Sequence, residues 1–206
     1  MKLILASNND HKLAEFRRLA DQIGFEIVSQ KEAGCFFEVE ENGTTFEENS
    51  YLKAAAVTKA TGFPAIADDS GLVVDALNGE PGIYSARYGP GHDAPTSARN
   101  EYLLKKMENV PDEKRTARFV CCICCTFPNG DVLRARGECE GYILHAPVGE
   151  GGFGYDPIFH PLPGSDHRDC GFAELTADEK NAISHRGNAL RKFIPLLEDY
   201  LNGTDK

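Results

Sequence analysis

The first thirty residues alternate between apolar and polar blocks that predict a strand, a helix and a second strand. Residues 3–6 are a short apolar run typical of a buried strand, and residues 7–11 form a polar turn. Apolar residues then recur at helical spacing over residues 13–23, Gly24 ends that helix, and residues 25–28 predict the second strand. This order predicts a parallel, doubly wound sheet with its ligand at the carboxyl end of a strand.

Capping signals delimit the next predicted helix. Thr45 and Glu48 form a capping box, and Gly62 ends the helix that follows. Residues 64–67 read as another short buried strand, and residues 100–107 have the amphipathic pattern of a further helix.

The second half of the chain predicts a hairpin and one long final helix. Residues 118–127 and 131–136 are strand-like and flank the turn sequence of residues 128–130, which predicts a β-hairpin. Thr176 and Glu179 form a second capping box, and the apolar spacing after it predicts a single last helix.

The composition is that of an ordinary globular protein. The 206 residues are enough for one α/β domain, which we expect over residues 1–202 with a frayed tail at 203–206. The net charge of -10 argues against a protein that binds the nucleic-acid backbone. The start of the chain lacks the pattern of a signal peptide, and the longest apolar run, residues 119–127, is too short to span a membrane.

Four of the seven cysteines stand in one short run, Cys121-Cys122-Ile123-Cys124-Cys125. The two overlapping C-x-x-C spacings raise a metal or redox site as one interpretation. The neighbours are apolar and β-prone, however, and successive strand side chains point to opposite faces, so the thiols would not converge on one ion. We expect buried strand cysteines that act as small hydrophobic residues, and reduced thiols indicate a cytosolic protein.

Two acidic pairs are candidate ligands for a hard cation. Asp68 and Asp69 directly follow the predicted strand at residues 64–67, and Glu40 and Glu41 lie in a loop. Because magnesium prefers oxygen ligands, two carboxylate segments and substrate phosphates would suit it. The alternative is that Asp68 and Asp69 belong to an ordinary turn, since Asp, Ser and Gly all favour turns.

Basic residues supply candidate phosphate ligands. The loop before the first helix ends in Lys12, and a helix start offers unpaired N–H groups to anions, although the P-loop pattern is missing. Lys53 lies on a helical stripe of small residues, from which it could enter a cleft or extend into solvent. The alternative for the loop is a polar turn with a capping residue.

Two later segments are candidates for recognition of a nucleotide base. Phe153 and Tyr155 in a glycine-rich loop could stack on a base, and Asp156 could accept a hydrogen bond from it, unless the loop is only a tight turn. Lys180, His185 and Arg186 fall at the start of the predicted last helix, where their charge opposes the helix dipole. That cost suggests that they face a ligand, and a solvated basic face is the alternative.

Together these segments resemble the inosine triphosphate pyrophosphatase family, which hydrolyses non-standard purine nucleoside triphosphates. Six motifs between Ser7 and Arg186 carry the resemblance, in the order and spacing of that family. They are Ser7-Asn8-Asn9-x-x-Lys12, Thr45-Phe46-x-Glu48-Asn49-x-x-x-Lys53-Ala54, Ala67-Asp68-Asp69-Ser70-Gly71, Pro81-Gly82-x-Tyr84-Ser85-Ala86-Arg87-Tyr88, Gly151-Gly152-Phe153-Gly154-Tyr155-Asp156-Pro157 and Glu179-Lys180-x-Ala182-x-Ser184-His185-Arg186. Ser7-Asn8 stands where many members have Thr-Gly, and the cysteine run is not a family feature that should affect the chemistry.

The resemblance implies an α/β fold with a long central mixed β-sheet, flanking helices and two lobes around a substrate cleft. It also implies a homodimer that uses Mg²⁺ and a purine nucleoside triphosphate. The thiols, the net charge and the apolar runs add the expectation of a cytoplasmic protein with no role for nucleic acid or membrane. Magnesium would be held by Asp69, Asp68 and Glu41 or its neighbour Glu40, with Asp69 also the general base. The triphosphate would be bound by the first loop and one helical lysine: Ser7, Asn8, Asn9, Asp10, His11, Lys12 and Lys53. The rest of the substrate would contact Ser70, Phe153, Gly154, Tyr155, Asp156, Lys180, His185 and Arg186.

Two other functions remain open from the sequence. A related pyrophosphatase could act on modified pyrimidine triphosphates, although Phe153 and the His185-Arg186 pair favour a purine. The chain could also be a nucleotide sensor without turnover, although a sensor has less need of the carboxylates at Asp68 and Asp69. For a purine substrate, donors aimed at the 6-oxo group would be left unpaired against adenine, and this discriminates strongly.

Overall fold

The computed structural model describes residues 2–20, 26–89, 94–162 and 170–204. Within these residues the strands are β1 (Lys2–Leu5), β2 (Glu26–Ser29), β3 (Ala65–Val74), β4 (Thr116–Thr126), β5 (Val132–Ile143) and β6 (Phe159–Pro161). The α-helices are α1 (Asp10–Ala20), α2 (Phe46–Thr61), α3 (Thr96–Lys106), α4 (Ala177–Ile183) and α5 (His185–Thr204). Short 3₁₀-helices cover Asp75–Leu77, Gly82–Arg87, Asp112–Lys114, Asp156–Ile158 and Phe172–Glu174.

The six strands form one sheet in the order β2-β1-β3-β4-β5-β6. Strand β1 pairs in parallel with both β2 and β3, whereas β5 and β6 are antiparallel. The sheet is therefore mixed, as the family resemblance implied, and the parallel arrangement expected from the opening segment holds for its first three strands.

Residue contacts divide the chain into two compact units. One unit contains residues 1–69, 121–137 and 189–206, and the other contains residues 70–120 and 138–188. The boundary in β3 falls between Asp69 and Ser70. Each unit has its own apolar core.

The core of the first unit is built from alternate residues of its strands and from helices. Leu3 and Leu5 of β1 pack with Phe16 of α1, with Ile123 of β4 and with Phe193 of α5. In the second unit the core includes side chains from β3, α3, β4 and β5 together with the segments around them: Leu72, Leu103, Met107, Phe119, Ile143, Phe159 and Phe172. Burial of this apolar surface is the main source of stability in both units.

Local signals confirm the predicted boundaries of α2. The Thr45 hydroxyl accepts a hydrogen bond from the Glu48 N–H, and Gly62 adopts the left-handed conformation that closes the helix, with φ of 70°. In a capping box the Glu48 carboxylate would accept from the N–H of Thr45 in return. Here it accepts from the N–H of the preceding residue, Thr44, at 2.6 Å.

Two predicted boundaries are wrong. Strand β3 does not stop at residue 67 but continues to Val74, so Asp68 to Gly71 lie within the strand instead of in a turn. The single last helix is broken at Ser184, whose φ and ψ of -67° and 155° are extended. Ser184 both ends α4 and accepts a hydrogen bond from the Gly187 N–H at 3.1 Å, which is the capping arrangement for the start of α5.

Some predictions fall outside the described residues, namely the helix end at Gly24, the strand start at residue 25 and the tail at residues 205–206. Gly203 and Thr204, which we expected in the frayed tail, belong to α5. Within the part of the chain that is described, no helix is both long and apolar enough to cross a membrane.

Candidate active site

Strand β3 carries two buried carboxylates past the end of its pairing with β1. That pairing ends at Leu5 opposite Ile66, and Asp68 and Asp69 follow with only 1% and 7% of their surface exposed. Each has a lysine of its own: Lys12 Nζ lies 3.1 Å from Asp68 Oδ1, and Lys53 Nζ lies 3.3 Å from Asp69 Oδ1. Neighbouring strand residues point to opposite faces, so two separate cations are needed to compensate them.

Lys53 also joins the loop glutamate to this group. Its Nζ lies 3.2 Å from Glu41 Oε2, and its side chain is largely buried. Burial alone would lower the pKa of Lys53, but the attraction of Asp69 and Glu41 is greater and raises it. The sequence left Glu40 and Glu41 as alternatives, and it is Glu41 that contacts Lys53, while Glu40 is exposed. We call Glu41, Asp68, Asp69, Lys12 and Lys53 the carboxylate–lysine cluster.

Asp69 has the environment of a proton acceptor. Burial raises the pKa of Asp69, more than the charge of Lys53 lowers it. The Asn49 amide donates to Asp69 Oδ2 at 3.2 Å, which fixes the direction of the carboxylate. A carboxylate with a raised pKa is a stronger base, as general base catalysis requires.

The cysteine run contacts this cluster through one thiol. All four cysteines are buried in β4, as predicted, and burial raises the pKa of Cys124 to about 11. The Cys121 thiol, however, lies 3.9 Å from Asp68 Oδ2 and donates a weak hydrogen bond to it. Cys121 is therefore a direct neighbour of a proposed metal ligand.

The first loop is organised by its own side chains. Ser7 Oγ accepts from the Asn9 N–H at 3.2 Å. Asn9 Oδ1 accepts from the N–H groups of His11 and Lys12 at 3.0 Å and 3.2 Å, which is an N-cap for α1. Asn8, Asp10 and His11 are exposed. Lys12 is the residue of this loop that joins the carboxylate–lysine cluster.

The donor atoms of the cluster suit a magnesium ion that arrives with phosphate. Among the described residues, no group of three or more His, Cys, Asp or Glu side chains is arranged to hold a metal. Magnesium, however, is usually held by one or two protein carboxylates together with waters and substrate phosphates. Asp69 and Glu41 are oxygen donors of this kind, and both already share one cation in Lys53.

A glycine-rich turn in the second unit presents Phe153. We call residues 152–156 the aromatic loop. Gly152 and Gly154 have positive φ values of 72° and 65°, and a side chain on Gly152 would collide with the Asp156 carboxylate. Asp156 Oδ2 accepts from the Phe153 N–H at 2.7 Å and from Lys180 Nζ at 2.6 Å. The loop is thus closed around a buried ion pair.

This ion pair gives Asp156 and Lys180 a structural role in the loop. Lys180 lies in the last turn of α4, where a cation is favourable, so the argument that it opposes a helix dipole was wrong. Its ammonium is 4.5 Å from the centre of the Phe153 ring, and Arg186 lies 5.9 Å from the same centre. Lys180 and Arg186 are six residues apart, and both lie over the Phe153 ring because the helix breaks between them at Ser184.

Tyr155, His185 and Arg186 are buried in this structure. Tyr155, which we expected to stack on a base, instead belongs to the core, and its hydroxyl donates to the Ser85 carbonyl at 2.9 Å. The His185 ring stacks on Phe119, with centres 4.8 Å apart and an angle of 13° between the rings. Arg186 Nη2 lies 3.4 Å from Ser70 Oγ, which brings together two of the predicted substrate-binding residues.

Comparison with known proteins decides the family. The sequence model of the Ham1 family matches residues 3–196. The chain belongs to the Ham1 family. A relative from Desulforamulus reducens, named dITP/XTP pyrophosphatase, is 49% identical over 197 residues, which is 96% of this chain and 96% of the relative.

Solved Ham1 structures share the fold. The Ham1 protein from Coxiella burnetii is 40% identical and superposes with a TM-score of 0.87, covering 97% of this chain and 99% of that protein. The Ham1 protein from Staphylococcus aureus is 41% identical with a TM-score of 0.83, covering 99% and 100%. The family resemblance drawn from the six motifs is therefore confirmed.

Several residues of this Ham1-family chain were not predicted. Asn49 and Cys121, which contact the two aspartates, lay in a motif and in the cysteine run without an assigned role. Asn100 donates to the Gly154 carbonyl at 3.2 Å, and Ser85 accepts from Tyr155. The sequence did offer one signal for these residues. Each is polar at a position where the helical or strand pattern is apolar, and a polar side chain buried at such a position is expected to form a hydrogen bond.

Proposed function

We propose that this protein hydrolyses non-standard purine nucleoside triphosphates, such as ITP, dITP and XTP, to the nucleoside monophosphate and pyrophosphate. The observation that most supports this proposal is the carboxylate–lysine cluster. In it the buried Asp69 has a raised pKa and shares the Lys53 ammonium with Glu41. The names of the relatives support the substrate class, since the relative that is 49% identical is a dITP/XTP pyrophosphatase.

In the proposed reaction a water molecule attacks the α-phosphorus. Asp69 accepts a proton from this water, the new P–O bond forms, and the bond from the α-phosphorus to the bridging oxygen breaks, so that pyrophosphate leaves. Lys12 and Lys53 stabilise the charge that develops on the phosphate oxygens. Asp69 and Glu41, with Asp68 beside them, would hold Mg²⁺, which would supply further charge stabilisation when bound.

The aromatic loop provides the proposed contact with the base. Phe153 is half-buried and offers a ring for stacking, while Lys180 and Asp156 hold the loop from within. Donors aimed at the 6-oxo group of hypoxanthine or xanthine would find no acceptor on the amino group of adenine. An unpaired buried donor disfavours the wrong substrate strongly.

The partner and compartment are part of the same proposal. The resemblance implies a homodimer. Light scattering coupled to size exclusion would give twice the mass of 22.6 kDa if the proposal is correct. All seven cysteines are free thiols, which supports a reducing compartment such as the cytoplasm.

A nucleotide panel tests the activity. Pyrophosphate release would be measured for ITP, dITP, XTP, GTP, ATP and a modified pyrimidine triphosphate, each with and without Mg²⁺. We expect release from the first three that depends on Mg²⁺. Preference for the pyrimidine would support the related pyrophosphatase, and binding without release would support a sensor.

The position of attack is tested separately in ¹⁸O-labelled water. Attack at the α-phosphorus places the label in the monophosphate and leaves pyrophosphate unlabelled. Release of orthophosphate and a nucleoside diphosphate would contradict the proposal and indicate a simple phosphatase.

A further inference from the structure

The side-chain amide of Asn100, which is buried on α3, contacts the aromatic loop separately from the Lys180–Asp156 ion pair. Asn100 is 4% exposed, and its Nδ2 donates to the carbonyl of Gly154 at 3.2 Å. The orientation of the amide follows from this partner, because a carbonyl must face the nitrogen and would repel the side-chain oxygen.

The other half of the same amide is unsatisfied. Among the residues that the structure describes, Asn100 Oδ1 is buried and has no hydrogen-bond partner. A buried acceptor without a donor is unfavourable, by about 1–3 kcal/mol. Packing alone would therefore favour leucine at this position, so the asparagine is explained by the bond that it makes to Gly154.

That bond fixes one peptide of the aromatic loop. In a planar trans peptide the C=O and N–H point in opposite directions, so the direction of the Gly154 carbonyl also sets that of the Tyr155 N–H. The neighbouring residues are held independently, because Phe153 N–H donates to Asp156 and the Tyr155 hydroxyl donates to Ser85. Gly154, which has no side chain and a positive φ, depends on an external partner for its orientation.

We propose that Asn100 is a positioning residue that sets the aromatic loop and thereby determines selectivity for 6-oxopurines over adenine. This inference rests on the proposed function, since it concerns recognition of the purine by the same loop. Asn100 acts through Gly154 and does not contact the reacting phosphate, so its loss is expected to alter base recognition more than the chemical step.

Two substitutions separate positioning from packing. Asn100→Leu keeps the number and branching of the side-chain heavy atoms but removes both the donor and the unsatisfied acceptor. Asn100→Asp keeps the shape but places an oxygen against the Gly154 carbonyl. Met107→Ala is the control, because Met107 is a buried residue at the end of α3 whose thioether cannot donate a hydrogen bond to the loop. For each variant, kcat and KM would be measured with ITP and with ATP, together with the melting temperature.

We expect Asn100→Leu to change the melting temperature little, because relief of the unsatisfied Asn100 Oδ1 offsets the loss of the donor to the Gly154 carbonyl. Its KM for ITP should rise about tenfold with kcat changed by no more than about twofold, and the ITP-to-ATP ratio of kcat/KM should fall about tenfold, the factor that one hydrogen bond contributes. Asn100→Asp should lower the ratio at least as much. Met107→Ala should lower the melting temperature and leave the ratio unchanged.

Other results would overturn the inference. An unchanged ratio in Asn100→Leu, or failure of both Asn100 variants to fold, would show that Asn100 serves structure alone. A ratio that falls equally in Met107→Ala would attribute the effect to lost stability. If the unaltered protein released no pyrophosphate from ITP, the proposed function itself would fail, and that result is distinguishable from all of these.

Discussion

The substitution Lys180→Met tests whether the buried ion pair anchors the aromatic loop. Lys180 Nζ and Asp156 Oδ2 are 2.6 Å apart, with only 8% and 3% of the two side chains exposed. Removing one partner of such a pair leaves an uncompensated charge in the interior and costs about 3–5 kcal/mol. The lost cation–π contact with Phe153 is smaller, about 0.5–2 kcal/mol, so the ion pair dominates.

This loss converts into a clear thermal shift. For a chain of this length each kcal/mol lowers the melting temperature by about 2–4 °C, so we expect a fall of about 6–20 °C. Calorimetry and urea unfolding would measure it. The double variant Lys180→Met/Asp156→Asn should recover most of the stability, because no buried charge is then left alone.

A matched lysine provides the control. Lys192 is exposed on α5 and donates to the Arg136 carbonyl at 2.9 Å, so Lys192→Met should change stability by no more than about 0.5 kcal/mol. The reasoning is refuted if Lys180→Met costs less than about 1 kcal/mol, or if the double variant is no more stable than the single one. In either case the loop would be held by its backbone and by Asn100 instead.

The remaining predictions concern the base, the thiols and the purine contacts. Asp69→Asn should lower turnover about 10²–10⁴-fold while Asp75→Asn, an exposed control, should not. Burial raises the pKa of Asp69, so ionised Asp69 destabilises the fold. In EDTA, the free energy of unfolding of Asp69→Asn relative to that of the unaltered protein should therefore increase as the pH rises above 3.8, the ordinary pKa of an aspartate. A difference that stays constant with pH would contradict this. Cys170, the one cysteine that is not buried, should react first with a thiol reagent in the native protein, and Cys170→Ser should abolish that fast phase; an unchanged phase would show that one of the six buried thiols is accessible. His185→Ala and Arg186→Ala should each lower the ITP-to-ATP ratio of kcat/KM, because fewer donors are then left unpaired against adenine. If both variants keep the wild-type ratio, backbone groups recognise the base.

Elements whose signals are local were predicted correctly. Each end of α2 is set by a bond to a residue close to it in the chain, Thr45 to Glu48 at the start and Gly62 to Thr58 at the end, so the sequence needs no distant partner to set these ends. The apolar cysteine run likewise forms a strand whose side chains are buried, and the turn at residues 128–130 joins it to the next strand. The six motifs also identified the family, because their order and spacing are properties of the chain itself.

Some elements were not predicted correctly, and one of them depends on distant neighbours. Asp68 to Gly71 favour turns in isolation, yet they continue β3 because pairing within a sheet overrides such preferences. The break at Ser184 was missed for a different reason: its capping bond to Gly187 is local, but the apolar spacing runs through it and predicted one continuous helix.

The sequence by itself determined which residue types the site contains, namely its carboxylates, its lysines and its aromatic loop. Only the tertiary structure decided how these charges pair. Lys12 meets Asp68 and Lys180 meets Asp156 across 56 and 24 residues of chain. Such pairs form because a buried charge requires a partner, and which partner is within reach depends on packing and not on spacing along the chain.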